Sequence, residues 1–309
     1  MVASGFGGPE VLRTVPTSPG DPGPGNVLLE VRAAAVNPID WKMYAAGPGN
    51  DPSRLPLRLG LEVAGVVTAV GPSVRWLSPG DEVIAWRVQG GYASHLEVSE
   101  QVTCRRPRTL DWPAASGLLL AGTTAVHTLA ATGTHDGDVV LVHGGSGGVG
   151  RMAVQLAVLR GARVIATGSP DVHEDLQALG AVPVAHGPGL LERVREAERT
   201  TGPVTVAVDT VGSDEALDVS VAVVADRLRV ATIAGFGRAA SLGIRALGGG
   251  PGADPGTAVR DAARAQLAEL AADGSLDVRV ARTFPLDDAA QAHRVSQEGH
   301  ARGKLVLLP

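Results

Sequence analysis

Five of the seven residues at 144–150 are glycine, and Gly145-Ser146-Gly147-Gly148-Val149-Gly150 fits the pattern G-x-G-x-x-G. The spacing has a chemical meaning because each glycine solves a separate problem. Gly145 permits a tight turn, Gly147 lets the backbone approach a diphosphate, and Gly150 lets a helix sit close to the strand before it. N–H groups exposed at such a turn, with the positive end of a helix dipole behind them, favour an anion. The other explanation is a glycine-rich turn with no ligand, which leaves five locally destabilising residues without a reason.

A cradle of this kind needs a strand before it and a helix after it. Residues 139–143 are an apolar run, 149–160 carry helical periodicity, and 163–167 supply the next strand, which together make one βαβ unit. Strands at 204–209 and 229–233, with helices at 174–179, 190–200 and 214–223, continue the alternation of a parallel sheet covered on both faces. Before about residue 120 the rhythm differs. There 27–35, 65–70 and 82–86 are short β-branched runs divided by Gly and Pro, as in a twisted, mostly antiparallel β domain. The Gly-rich stretch 248–256 punctuates the chain, and beyond it come a helix at 258–272, a strand at 278–281, a helix from 287 and a last strand at 305–308. A strand there needs a sheet to join, so the expected division is 1–119, 120–256, and a return of 257–309 to the first domain.

At the end of the second strand of the βαβ unit, an NAD site usually carries Asp or Glu for the ribose 2′-hydroxyl. Here Thr167, Gly168 and Ser169 stand in that place. A missing carboxylate removes repulsion against a 2′-phosphate, which Ser169 and His173 can hydrogen-bond, while Asp171 argues the other way. NADPH is the expected coenzyme, with NADH as the alternative.

The chain of 309 residues has a formal charge of -5 and 19% charged residues in no long single-sign block, which argues against a nucleic-acid footprint. Arg105, Arg106 and Arg108, interrupted by Pro107, read as a solvated connector. The one cysteine, Cys104, leaves neither an internal disulfide nor a cysteine-rich zinc site and suits a reducing cytoplasm. Residues 1–10 lack the basic end and apolar run of a signal peptide, and no stretch approaches roughly 18 apolar residues, so no membrane is expected. No Ser-His-Asp order, metal-ligand cluster or paired carboxylate points to hydrolysis. His127, His143 and His293 are isolated and read as packing or surface residues.

Residues 137–150, followed by Gln155-Leu156-Ala157, closely resemble the signature of the zinc-free quinone oxidoreductase, zeta-crystallin-like family of the medium-chain dehydrogenase/reductase superfamily. Further landmarks stand in family order: residues 6–12, Asn37-Pro38-Ile39-Asp40, residues 60–67, Gly80-Asp81-Glu82-Val83, Gly91-Tyr92-Ala93, Val208-Asp209-Thr210-Val211-Gly212 and Gly303-Lys304-Leu305. The resemblance implies an α/β protein made of a GroES-like β-rich catalytic domain and a Rossmann doubly wound parallel-sheet cofactor domain. It also implies a cleft between them and, commonly, a homodimer joined through the cofactor domains. Three departures matter. Leu61 replaces the His of the Gly-His-Glu motif of the zinc enzymes, so no metal is expected. The family's phosphate-binding Lys and Tyr fall at Val172 and near Gly187, which leaves coenzyme preference open. Only five residues precede Phe6, so the family's first strand is expected to be absent or the chain to start upstream, and Val158 replaces the basic residue that closes the signature.

All four Trp and both Tyr lie within the first 112 positions. Trp41 and Tyr44 flank Lys42, and their rings either stack on a flat quinone or pack in the core, whereas Trp76, Trp86 and Trp112 read as core. Asn37 matches the family's Asn beside the nicotinamide, or else caps the turn before Pro38. Lys42 stands where the alkenal-reductase branch often has Lys; it either stabilises an enolate or hydroquinone anion or is a surface lysine. The catalytic candidates are thus Asn37, Lys42 and Tyr44, with Trp41, Tyr92 and Phe236 lining a substrate pocket. Residues 145–150, Thr167, Gly168, Ser169 and His173 are joined as cofactor contacts by Thr124, Thr210, Val211, Gly235, Phe236 and Lys304, carried over from the family. The expected activity is hydride transfer from NADPH to a quinone. The alternatives are reduction of the C=C bond of an enone, 2-alkenal or enoyl compound, and nucleotide binding without turnover.

Overall fold

The computed structural model describes residues 1–47 and 50–309. The chain divides into two compact units, residues 1–120 with 265–309, and residues 121–264. The second boundary falls within the helix Thr257–Ala272.

In residues 121–264 six parallel strands lie in the order Ala181–Ala185, Arg163–Gly168, Val139–His143, Val206–Asp209, Val230–Thr232, Arg245–Ala246. In sequence order that is 3-2-1-4-5-6, the doubly wound arrangement whose direction reverses beside its first strand. Every residue of Val139–His143 is buried, as a central parallel strand between two helical layers requires. Leu141, Ile165, Val194, Ala207, Leu217 and Val230 form the heart of this core. The helix Gly148–Leu159 follows the first strand, and Leu190–Thr201 and Asp214–Val223 separate later ones. The helix Leu119–Ala131 gave no periodic signal, because residues 121–129 are all buried and no polar face marks its period.

The other unit is built on a seven-stranded sheet. Its strands run Val280–Pro285, Lys304–Leu308, Asn26–Val36, Glu62–Val70, Glu82–Trp86, Thr103–Arg105, with His95–Ser99 also paired to Asn26–Val36. Neighbours are antiparallel except the first two, and Val306 stands opposite Ala35. Gly65 is required here, since a Cβ would lie 2.4 Å from the Glu30 carbonyl oxygen. Leu29, Val63, Val83, Leu96, Phe284 and Leu307 are among its core side chains.

Three expectations are corrected in this unit. A first strand is present, although only as Val2–Ala3, paired with Leu12–Arg13 and Leu57–Arg58. The strand expected at 278–281 lies at Val280–Pro285, where exposed side chains at a sheet edge gave no alternating pattern. Trp76 is 41% exposed, with the Arg105 guanidinium 5.9 Å above its ring, so it is no core residue, whereas Trp86 is buried. The basic cluster is occupied in pairs, Arg105 with Asp81 at 2.9 Å and Arg106 with Glu82. Among the described residues no helix is long and apolar enough to cross a membrane.

Candidate active site

The glycine turn leaves the C-terminal end of Val139–His143 with Gly144 at φ +75°, a left-handed conformation. Thr167 braces it from the next strand: its hydroxyl accepts the Gly144 N–H at 3.0 Å and its carbonyl accepts the Gly145 N–H at 2.9 Å. Thr167 therefore braces the turn from behind, its hydroxyl accepting one N–H and keeping its own hydrogen to donate. A Cβ on Gly145 would meet Ala166 Cβ at 2.9 Å, and one on Gly150 would lie 2.0 Å from the Gly144 carbonyl oxygen. Gly147, the N-cap of Gly148–Leu159, is different. Its Cβ would touch only Gly144 O, at 3.5 Å, so this face of the turn is open where N–H groups and helix dipole converge. Ser146, Gly148 and Val149 are half-buried around it.

Two neighbouring loops at the strand ends are tied together by Asp209 and Thr232, both fully buried. Asp209 Oδ1 accepts the N–H groups of Val211 and Gly212, each at 2.9 Å. The Thr232 hydroxyl donates to Asp209 Oδ2 at 2.6 Å and accepts from Ala234 N at 3.1 Å and Gly235 N at 2.8 Å. One carboxylate and one hydroxyl thus fix Thr210-Val211-Gly212 and Ala234-Gly235-Phe236 against each other. Thr210 spends its own hydroxyl on the His143 carbonyl at 2.7 Å, while Val211 is exposed and Phe236 half-buried. Thr232→Val keeps the shape but leaves two N–H groups and a buried carboxylate short of partners; the expected loss is about 1–3 kcal/mol, read as a lower melting temperature with weaker NADPH binding. An unchanged melting temperature would show the hydroxyl to be idle.

At the end of Arg163–Gly168, the Ser169 hydroxyl is bonded to Asp171, and Val172 is buried against Gly168. His173 opens the helix His173–Ala178, and its Nε2 is buried without a hydrogen-bond partner. Thr124 is buried within Leu119–Ala131.

In the other unit, Asn37 precedes the short helix Pro38–Lys42, and its N–H donates to Asp40 Oδ2 at 2.8 Å. Lys304 donates from Nζ to Asn37 Oδ1 and stands 3.8 Å from Glu62 Oε2, while Glu62 Oε1 accepts the Leu120 N–H at 2.8 Å. Asn37, Asp40, Glu62 and Lys304 are all buried. Asn37 Nδ2, Asp40 Oδ1 and Glu62 Oε2 have no hydrogen-bond partner. Burial raises the Asp40 carboxyl to about 7, against the pull of the Asn37 N–H and the Tyr92 hydroxyl, and raises Glu62 as well despite nearby Lys304.

The aromatic residues divide. Lys42 is exposed, with its ammonium 5.5 Å over the Trp41 ring, and Trp41 Nε1 donates to Ser296 Oγ at 3.2 Å. Tyr44 and Tyr92 have no exposed surface. Tyr44 bonds His293 Nδ1 at 2.6 Å, and Tyr92 bonds Asp40 at 3.0 Å and His293 Nε2 at 3.1 Å. Their assignment to catalysis and to a substrate pocket is corrected: both are core groups, with hydroxyls pushed above the usual range by burial. Lys304, assigned to the cofactor, is likewise inside its own unit with its charge committed. Asp40, Glu62, Asp209 and Thr232 were not singled out. Of these, only Asp40 had a local signal, an acceptor three residues after an Asn that precedes Pro.

Among the described residues no group of three His, Cys, Asp or Glu side chains could hold a metal ion. Residues 23–134 match the alcohol dehydrogenase GroES-like domain, and residues 179–307 match the zinc-binding dehydrogenase family. NADPH-dependent alkenal/one oxidoreductase of Arabidopsis thaliana is 37% identical over 58% of this chain, and the match spans only 50% of that protein. The crystal structure of Escherichia coli quinone oxidoreductase complexed with NADPH has a TM-score of 0.85 at 27% identity, covering 100% of this chain and 99% of that one. Quinone oxidoreductase 1 of Escherichia coli (strain K12) is 30% identical, and the match covers 98% of this chain and 97% of that protein. With that coverage and the doubly wound sheet carrying the glycine turn, the chain belongs to the quinone oxidoreductase family of the medium-chain dehydrogenase/reductase superfamily.

Proposed function

We propose that the protein is an NADPH-dependent quinone oxidoreductase that works without a metal. The observation that carries the reading is the open face at Gly147, a helix N-terminus at the reversal point of a 3-2-1-4-5-6 sheet, where an anionic diphosphate is stabilised. The residues present fit the cofactor. Residues 145–150 hold the diphosphate, while Val211, Gly235 and Phe236, on loops fixed by Asp209 and Thr232, and Thr124 line its length. The absence of a carboxylate at Gly168 and the unpartnered His173 Nε2 suit a 2′-phosphate, with Ser169 beside them. Bound there, NADPH supplies a hydride to the quinone, and solvent supplies the proton that completes the hydroquinone. The Asn37 Nδ2, buried and unpartnered, is offered as the donor to a substrate or ribose oxygen. Leu61 in place of the zinc enzymes' His supports the metal-free reading. A cytoplasmic homodimer is the setting it assumes.

Reduction of an enone or 2-alkenal at C=C is the second reading. The exposed ammonium of Lys42, beside the Trp41 ring, favours it by offering a cation to an enolate, and the alkenal/one relative points the same way. The test follows NADPH absorbance with 1,4-benzoquinone, with a 2-alkenal, and with neither, and repeats the set with NADH. The expected result is consumption with the quinone and a preference for NADPH. Consumption with the alkenal alone moves the assignment to C=C reduction, and NADPH bound but never consumed overturns an enzymatic role.

A further inference from the structure

We propose that Lys304 and Glu62 are a positioning pair that locks the orientation of the Asn37 side-chain amide, a role that rests on the reading of Asn37 as a substrate-side donor. An ammonium has only hydrogens to offer, so the amide atom that meets Lys304 must be Oδ1. Nδ2 then faces away from the ammonium without a hydrogen-bond partner, and the Glu62 carboxyl, 3.8 Å from the same ammonium, is near enough for the amide to offset slightly the rise that burial gives it. Turning the amide over would press its hydrogens on the ammonium and its oxygen toward the carboxylate. Two like-sign contacts oppose the flip, and neither is screened by water because all three side chains are buried.

The rest of the arrangement serves the same end. Glu62 is itself held by the Leu120 N–H in the first turn of Leu119–Ala131, where the helix dipole favours a carboxylate. The backbone of Asn37 is held separately, by Asp40. Space for the lysine stem comes from Gly117, where a Cβ would lie 2.8 Å from Lys304 Cγ. A buried ion pair adds little net stability over apolar residues of the same size, so stability alone gives no reason for Lys and Glu here. With the oxygen engaged by Lys304, the unpartnered Nδ2 hydrogens are left pointing in fixed directions.

The experiment compares the full-length parent with Lys304→Met/Glu62→Gln, a pair that carries no buried charge and keeps an acceptor for Leu120. Asn37→Leu and the triple variant complete the cycle. Proton exchange of the Asn37 side-chain NH2 is followed by NMR without cofactor, and kcat and KM are measured with 1,4-benzoquinone or the 2-alkenal. In the double variant, NH2 exchange is expected to accelerate at least tenfold and kcat to fall at least tenfold, with KM for NADPH little changed. Adding Asn37→Leu is expected to cause no further fall. An unchanged NH2 exchange rate in a folded double variant overturns the proposal, as does a loss that adds in full to that of Asn37→Leu. If the NH2 loosens while the parent consumes NADPH with neither acceptor, the positioning pair stands and the oxidoreductase reading fails.

Discussion

Gly147→Ala is expected to fold like the parent and to bind NADPH at least tenfold more weakly, whereas Gly150→Ala is expected to fail at folding first. The two glycines stand three residues apart in one motif, yet their surroundings are opposite. At Gly150 a methyl group would lie 2.0 Å from the Gly144 carbonyl oxygen and 3.0 Å from Gly145 Cα, both backbone atoms that cannot rotate away. The helix would have to lift off the strand, at a cost of about 3 kcal/mol. At Gly147 the same methyl meets one atom at an ordinary 3.5 Å and the backbone is at φ -77°, open to any residue. Only the weaker N-cap preference is lost, about 0.5–1 kcal/mol. The methyl does, however, occupy the face where a diphosphate must come close to the N–H groups, and losing roughly 1.4 kcal/mol or more of that contact is a tenfold loss of affinity. Thermal melts and NADPH fluorescence titrations separate the two outcomes. Parent-like affinity in Gly147→Ala would remove the phosphate cradle from the account.

Asp40→Asn is expected to change the pH dependence of stability by several kcal/mol between pH 4 and 8. The Asp40 carboxyl is raised by burial from its ordinary 3.8 to about 7. Between those values the folded chain binds more protons than the unfolded chain, so stability falls as pH rises, and the whole penalty is present above pH 7. At 1.36 kcal/mol per unit this amounts to roughly 4 kcal/mol. His293 acts with the opposite sign. Burial lowers it from 6.5 to about 4, so the folded chain binds fewer protons in that window and loses stability as pH falls through it. Between about pH 4 and 6.5 these two contributions oppose each other in the parent. Asp40→Asn removes one of them. The variant should gain about 1–3 kcal/mol over the parent at pH 8, after allowing for an amide nitrogen placed where Oδ1 already lacks a partner, and lose that advantage toward pH 4. Urea midpoints from pH 4 to 8 read this directly. A gap between variant and parent that is the same at every pH would mean the carboxyl is not the titrating group.

What could be read in the sequence was periodic or chemically singular. Val139–His143 announced itself as four consecutive apolar residues ahead of His143 and a glycine cluster, and Glu82–Trp86 as a strand with β-branched residues after a Pro-Gly break. Leu119–Ala131 was illegible because burial all round erases the contrast that reveals a helix. The aromatic residues misled for a related reason: composition places Tyr44 and Tyr92 in one unit but cannot say which side of the sheet they face. Asn37, Glu62 and Lys304 are far apart in the chain, and nothing local to any of them reveals the pairing. Lys304 opens an apolar run and gives no sign of where its long stem will end. Only the register of Lys304–Leu308 against Asn26–Val36 brings that ammonium to the amide.

That same register has a consequence for biosynthesis. The strand Lys304–Leu308 lies between Asn26–Val36 and Val280–Pro285, so the amino-terminal sheet is missing an interior member until residues 304–308 leave the ribosome. Residues 121–264 form an uninterrupted stretch and can fold while translation continues. The β-rich unit must meanwhile wait with Ala34, Ala35 and Val36 unpaired on one side, closing a loop of some 270 residues before it is complete, which makes this short edge a place where a nascent chain is exposed to self-association.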